Sequence, residues 1–426
     1  MTNDAAPIPG GADPVQGLAA EYLDGLARLA VHVGLNLQQG QDLVMTTPVA
    51  ALPLARAIAR VAYQAGAGLV TPLISDRDIT LARFHHAASE SFDTAPGWLY
   101  DGMARAFENG AARLALVGDD PFLLAAQDAD KVGRANRANA TAYRPALTQI
   151  TGFHINWSII PCPTPDWARH IFPDLPPEEA LQRLAQAIAL TTRLDQPDPV
   201  AAWQAHNAEL AARCQMLNDA RFDALHFTGP GTDLRVGLAE GHFWQGGASQ
   251  ARNGVRCNPN LPTEEVFTTP HAARVDGYVR ATKPLSHNGT LIDAIEMRFE
   301  AGRAVQARAA RGQDVLTQML ATDEGAARLG EVALVPHGSP VSQSGLLFYN
   351  TLFDENAASH IAMGQCYASC LEGGEGLSRD EIAARGGNAS LIHVDWMIGS
   401  DQIDVDGLTG DGTTVALMRG GEWVSD

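Results

Sequence analysis

The chain has 426 residues, 46% of them hydrophobic and 19% charged, enough apolar material for two or three folded domains and too much for a disordered chain. Its 30 basic and 49 acidic side chains leave a formal charge of −19. That balance excludes a nucleic-acid binder, which needs a basic face to displace counterions.

At the start, MTNDAAPIPGGADPVQ (1–16) lacks the basic opening and apolar run of a signal peptide. No later stretch approaches the roughly 20 apolar residues that span a bilayer. Cys162, Cys214, Cys257, Cys366 and Cys370 form an odd, sparse set, and the pair Cys366 and Cys370 has no second pair to complete a zinc knuckle. Free thiols in a reducing compartment are expected, and with them a cytoplasmic protein without a membrane partner.

The first half alternates helical and strand-like segments. Tyr22 to Leu35 has helical spacing, DLVMTTPV (42–49) is a short β-branched run, ALPLARAIARVAYQAG (51–66) is helical, and LVTPLIS (69–75) is again strand-like. GWLYDGMARAFENG (97–110) ends on a helix-stop Asn109-Gly110 before strand-like ARLALVG (112–118). INWSIIPCP (155–163) is a further buried strand, and PPEEALQRLAQAIALTTRL (176–194) opens with proline and acids that suit a helix N-terminus. The pattern predicts an α/β domain over 15–220, a mostly parallel sheet with flanking helices. Asp198 and Pro199 start one more helix, and beyond it FDALHFTG, TDLRVGLAEG, ARVDGYVRATKPL, LIDAIEMRFEAG and EVALVPHG alternate between glycine- and proline-rich turns. Residues 221–426 are therefore expected to form an α+β domain rich in antiparallel strands. GPGTDLRVG (229–237) reads as a tight hairpin, because no helix follows it to complete a phosphate cradle.

Chemistry concentrates in this second half. In LIHVDWMIGS (391–400), strand periodicity puts His393 and Asp395 on one face, where imidazole and carboxylate converge on one cation or pair with each other. Glu331 opens an apolar run and needs a partner if buried. His360 lies in the helix-like TLFDENAASHIAMG, and Glu264 and Glu265, in extended NLPTEEVFTTP, point opposite ways. Two glutamates, two histidines and an aspartate make an oxygen and nitrogen donor set suited to two divalent cations.

NLPTEEVFTTP (260–270), GEVALVP (330–336), SGLLFYNTLFDENAASHIAMGQCY (344–367) and HVDWMIG (393–399) together resemble the thermophilic-type metalloaminopeptidase family, the aminopeptidase T, aminopeptidase S and PepS-like group. The intervals agree as well: 66 residues from Glu265 to Glu331, 29 to His360, 33 to His393 and two to Asp395. The likeness extends through GDDPFLL and WSIIPCPTPDWA in the first half. The resemblance implies metal ligands Glu265, Glu331, His360, His393 and Asp395, with Glu264 the less favoured alternative to Glu265. It implies catalytic roles for Tyr367, Glu265 and Glu331, and two divalent ions per chain, zinc, cobalt or magnesium. It also implies peptide substrates with a free N-terminus and a homodimer. Seven residues separate Tyr367 from His360, two turns of a helix if the helix is continuous.

The alternative from another enzyme class is a mononuclear Fe(II) ring-cleaving dioxygenase of the dihydroxypyridine type, using His360, His393 and Asp395 alone. Glu265 and Glu331 favour the two-metal hydrolase over it. His337 reads as a turn residue, Asp354 and Glu355 as acceptors orienting His360 or as helix-face charges, and His85-His86 as a surface pair. Ser342 and Ser344 lack the surroundings of a nucleophile elbow.

Overall fold

The computed structural model describes residues 18–287 and 289–424. Four parallel strands form the first sheet in the spatial order Val70–Ser75, Leu43–Pro48, Ala112–Val117, Trp157–Pro161. Helices Ala20–Leu29, Leu52–Gln64, Gly97–Glu108, Ala129–Thr151 and Pro177–Thr191 accompany these strands in the chain. Leu26, Leu43, Met45, Leu54, Ile58, Leu114, Ile160 and Leu184 build the core beneath this sheet, and all are buried. The apolar runs of the sequence are thus the strands, and the amphipathic runs the helices that cover them.

Helix Pro199–Ala220 leads out of this layer. Asp198 caps it by accepting the Ala201 N–H, and Pro199 occupies the first turn, where a missing N–H costs nothing. An eight-stranded antiparallel sheet follows, in the order Arg303–Arg308, Glu296–Glu300, Pro270–Arg280, Thr232–Leu238, Ala224–Gly229, Asp404–Leu408, Thr414–Arg419, Glu422–Trp423. The glycine-rich 229–237 segment forms the hairpin between Ala224–Gly229 and Thr232–Leu238.

A smaller antiparallel sheet carries the chemistry. Its order is His393–Met397, His360–Gly364, Leu329–Leu334, Val266–Thr268. A second core, with Leu234, Val275, Phe299, Val332, Ile361 and Trp396, packs these strands against the larger sheet. Not every residue of the second half belongs to that core. Val341, Phe348, Leu352, Phe353 and Ala357 insert into the core of the parallel sheet. Phe348 stacks on Phe353 with ring centroids 4.3 Å apart, and the Trp167 indole N–H donates to the Phe348 carbonyl at 2.6 Å.

One expectation fails here. TLFDENAASHIAMG is not one helix: it divides into a single turn Thr351–Asp354, a tighter turn Glu355–Ala357 and the strand His360–Gly364. Ala358 is already extended at φ −168°, so the helix stops before His360. The spacing of apolar residues in so short a segment fits either periodicity, and pairing with two neighbouring strands decides it. Tyr367 lies beyond that strand in a loop, with φ −88° and ψ 114°, so no helical repeat links it to His360.

Candidate metal centre

Strand register assembles the site. Glu331 lies opposite Ala362, and Ala362 opposite Asp395, across three adjacent strands. His360 and His393 are each two residues from a member of that row and therefore share its face. The central position of the row is a methyl group, which leaves room for the two flanking carboxylates. Gly330 permits the approach: a Cβ there would stand 2.3 Å from the Gln365 carbonyl oxygen and 2.4 Å from that of Gly364. Glu265 arrives just ahead of the edge strand Val266–Thr268.

Two donor triads result, Glu265–Glu331–His360 and Glu331–His393–Asp395, each with one atom per residue within 4.8 Å of the others. Glu331 belongs to both. His360 Nε2 is 3.2 Å from Glu265 Oε2, and His393 Nε2 is 3.0 Å from Glu331 Oε2 and 3.3 Å from Asp395 Oδ1. The other nitrogen of each ring faces a backbone carbonyl, His360 Nδ1 to Ala358 at 3.1 Å and His393 Nδ1 to Gln365 at 2.7 Å. A carbonyl only accepts, so Nδ1 carries a proton in both rings and Nε2 is left for the cluster.

The residues fit a cation. Glu265 Oε2, His393 Nε2 and Asp395 Oδ1 are buried with no hydrogen-bond partner outside the cluster itself, a costly arrangement unless positive charge lies among them. Burial raises the Glu331 carboxyl to about 7 in the ion-free protein, helped by Asp395 and opposed by His393. Burial works against charge on His360, but Glu265 and the surrounding acids outweigh it and push its pKa up to about 10. Such shifts mark a site with more negative charge than its own side chains neutralise.

Tyr367 stands at the rim. Its ring lies 4.7 Å from that of His393 and 5.8 Å from that of Phe267, and it is 43% exposed where it lines an adjoining cavity. Although part of the side chain is exposed, lost hydration around the phenol itself, with the Glu331 and Asp395 carboxylates, raises its pKa above the usual range, so it keeps its proton at neutral pH. The cavity has a volume of about 310 Å³, and Glu265, Glu331, Glu355 and Tyr367 are among the residues that line it.

A family model described as thermophilic metalloprotease (M29) matches residues 19–423. The chain belongs to the thermophilic metalloprotease family. It is similar to aminopeptidase T of Thermus thermophilus, 56% identical over 402 residues that cover 94% of this chain and 98% of that one. Aminopeptidase 2 of Geobacillus stearothermophilus is 46% identical, covering 94% and 97% of the two chains. The solved structure of wild-type AmpT from Thermus thermophilus superposes with a TM-score of 0.90 at 55% identity, over 95% of this chain and 99% of that one.

Within this metalloprotease the other acids of the motifs separate clearly. Glu264 turns away from the cluster and accepts both Arg193 guanidinium N–H groups, at 2.7 and 2.9 Å. Asp354 accepts the backbone N–H groups of Phe348 and Asn350 at 2.7 and 3.0 Å, and does not orient His360. Glu355 belongs with the cluster: burial and the nearby Glu265 and Asp395 carboxylates raise its pKa well above the ordinary range, and it lines the cavity. From the sequence FDEN is open between acceptors orienting His360 and helix-face charges, and only Glu355 lies beside the cluster. His337 sits in a turn, its Nδ1 3.3 Å from the Ser342 hydroxyl and its N–H on the Gly421 carbonyl at 2.9 Å, away from both triads. His85 and His86 are exposed at the end of helix Arg77–His86. All five cysteines are free and buried. Among the described residues no helix is long and apolar enough to cross a membrane.

Proposed function

We propose that this metalloprotease is an aminopeptidase that removes the first residue of peptides with a free N-terminus, using two divalent ions held by Glu265, Glu331, His360, His393 and Asp395. The observation that carries this reading is the pair of donor triads sharing Glu331 beside a cavity of peptide-accepting size. Glu331, the residue common to both triads, would contribute to holding both ions. Zinc, cobalt and magnesium all suit a set of carboxylates and imidazoles, and availability selects among them. Bound ions would supply the Lewis acidity that ionises a water at neutral pH and polarises the scissile carbonyl.

The chain's own groups do the rest. Carboxylates of the cluster receive the free α-amino group of the substrate and hold it end-on. Glu355, facing both cluster and cavity, takes the proton from the attacking water and returns it to the leaving amine. Glu265 and Glu331 keep their charge fixed on that region throughout. The protonated Tyr367 hydroxyl donates to the oxygen on which negative charge develops. The same reading has the enzyme working in the cytoplasm as a homodimer, with the family resemblance as its support.

The mononuclear iron alternative gains nothing from these observations. It leaves Glu265 and Glu331 without a task, and the relatives described above are aminopeptidases.

Aminoacyl-p-nitroanilide hydrolysis tests the proposal. Protein stripped with EDTA is expected to be inactive and to regain activity with zinc, cobalt or magnesium, at two ions per chain by elemental analysis. A single ion at full activity, or no release with any divalent ion, would overturn it.

A further inference from the structure

We infer that the cavity beside the triads is a recess for a large apolar side chain at the substrate's first position, an inference that rests on the aminopeptidase reading. Besides the carboxylates, its lining includes three aromatic rings, Phe153, Trp157 and Phe267, among uncharged polar groups such as Gln245 and Asn260. Phe153 and Trp157 meet with ring centroids 5.7 Å apart and 55° between their planes. Phe153 holds φ 52°, the left-handed turn that ends helix Ala129–Thr151, with the His154 N–H donating to the Gln149 carbonyl at 2.9 Å. The Phe153 carbonyl is pinned by the Arg252 N–H at 2.7 Å.

Charge points the same way. Besides Tyr367, the ionisable groups lining this space are Glu265, Glu331 and Glu355, which the reading above already commits to the ions, the substrate's α-amino group and the proton. A lysine or aspartate side chain entering here would be desolvated against aromatic rings without a free counter-charge. Phenylalanine, leucine or methionine would exchange water for those rings. The volume, about 310 Å³, lies at the small end of ligand pockets, enough for one large side chain and its neighbouring backbone.

A panel of aminoacyl-methylcoumarylamides bearing Phe, Leu, Ala, Lys and Asp, with metal-loaded enzyme, reads this out. The kcat/KM values for Phe and Leu are expected to exceed those for Lys and Asp by at least roughly tenfold. Trp157→Ala should lower the Phe-to-Ala ratio of kcat/KM by about the same factor. Equal turnover of Lys or Asp, or an unchanged ratio in the variant, would overturn the recess. Loss of every substrate in the wild type would instead strike the aminopeptidase reading itself.

A separate observation carries a second inference. Glu264 and Glu265 are neighbours that face opposite ways, and the first is fixed from several sides. Besides the two-pronged Arg193 contact, the Glu264 N–H donates to Asn356 Oδ1 at 2.7 Å, and Asn356 Nδ2 donates to the Leu352 carbonyl at 3.1 Å. His206 Nε2 lies 2.9 Å from the Thr263 carbonyl. The Arg193 guanidinium in turn sits 4.9 Å over the Trp203 ring, whose indole N–H donates to the Thr192 carbonyl at 2.7 Å. We propose that Arg193 and Glu264 are a positioning pair: by holding one carboxylate away they aim the next, Glu265, at the ion it is proposed to bind.

Cobalt titration of EDTA-stripped protein, followed by visible absorption, is the test, and it needs no catalysis. Arg193→Met should weaken cobalt binding by roughly 10- to 100-fold. It also strands a buried carboxylate, so the double variant Arg193→Met, Glu264→Met decides: with both charges gone nothing is left unpaired, and its thermal midpoint should return toward the wild type. Weakened cobalt binding in that stable double variant, with partial recovery in Arg193→Lys, is the expected outcome. Wild-type cobalt affinity in the double variant would overturn the pair's aiming role and leave it a plain fold contact.

Discussion

Tyr367→Phe deletes one hydroxyl and leaves every proposed ligand in place. Its expected effect is a fall in kcat of roughly 10²- to 10³-fold, the scale for one prealigned donor to a developing oxyanion, with metal content unchanged by elemental analysis. Loss of metal in that variant would show the phenol to be structural. Asp354 gives a prediction of another kind. Burial raises its pKa to about 7 from 3.8. Between those values the folded state keeps a proton that the unfolded state has released, so this group makes stability fall as pH rises through that window. Asp354→Asn should flatten the slope of the urea midpoint between pH 4 and 7. At this scale the family resemblance carried by four motifs singles out Glu265, Glu331, His360, His393 and Asp395, whose donor atoms lie in two triads that share Glu331. Glu355 is legible only as one of two readings, because a turn of tight helix and not a periodicity sets the direction of its carboxyl.

Elements repeat the contrast. The four parallel strands and their helices follow from apolar runs and helix stops, since buried strands and amphipathic helices leave distinct patterns. The strand His360–Gly364 does not, since its five residues are all buried and a fully buried strand has no alternation to show. The 341–357 segment is the least expected part, as a piece of the second half whose apolar residues serve the first core. Phe348→Ala removes the ring stacked on Phe353 and should cost about 3–5 kcal/mol in thermal or urea unfolding. The same segment leads into Glu355 and Asn356, so the variant should also bind cobalt more weakly. Full cobalt affinity in a destabilised Phe348→Ala protein would show that the segment's docking and the cluster are independent.

For the whole molecule the ions are expected to act as ligands of the folded state. Glu265, Glu331, Glu355 and Asp395 crowd around two histidines, and chelation leaves their repulsion unrelieved. Each ion at a hundred times its dissociation constant adds about 2.7 kcal/mol to the folded state. EDTA should therefore lower the thermal midpoint by several degrees, and excess zinc or cobalt should restore it. A midpoint indifferent to chelation would mean that the cluster binds nothing tightly.

The lacing of residues 341–357 through the first core has a consequence for biosynthesis. The donors are spread from Glu265 to Asp395, and the stretch that leads into His360 is anchored in material made much earlier. A chain still emerging from the ribosome holds no assembled centre until almost its full length has been translated.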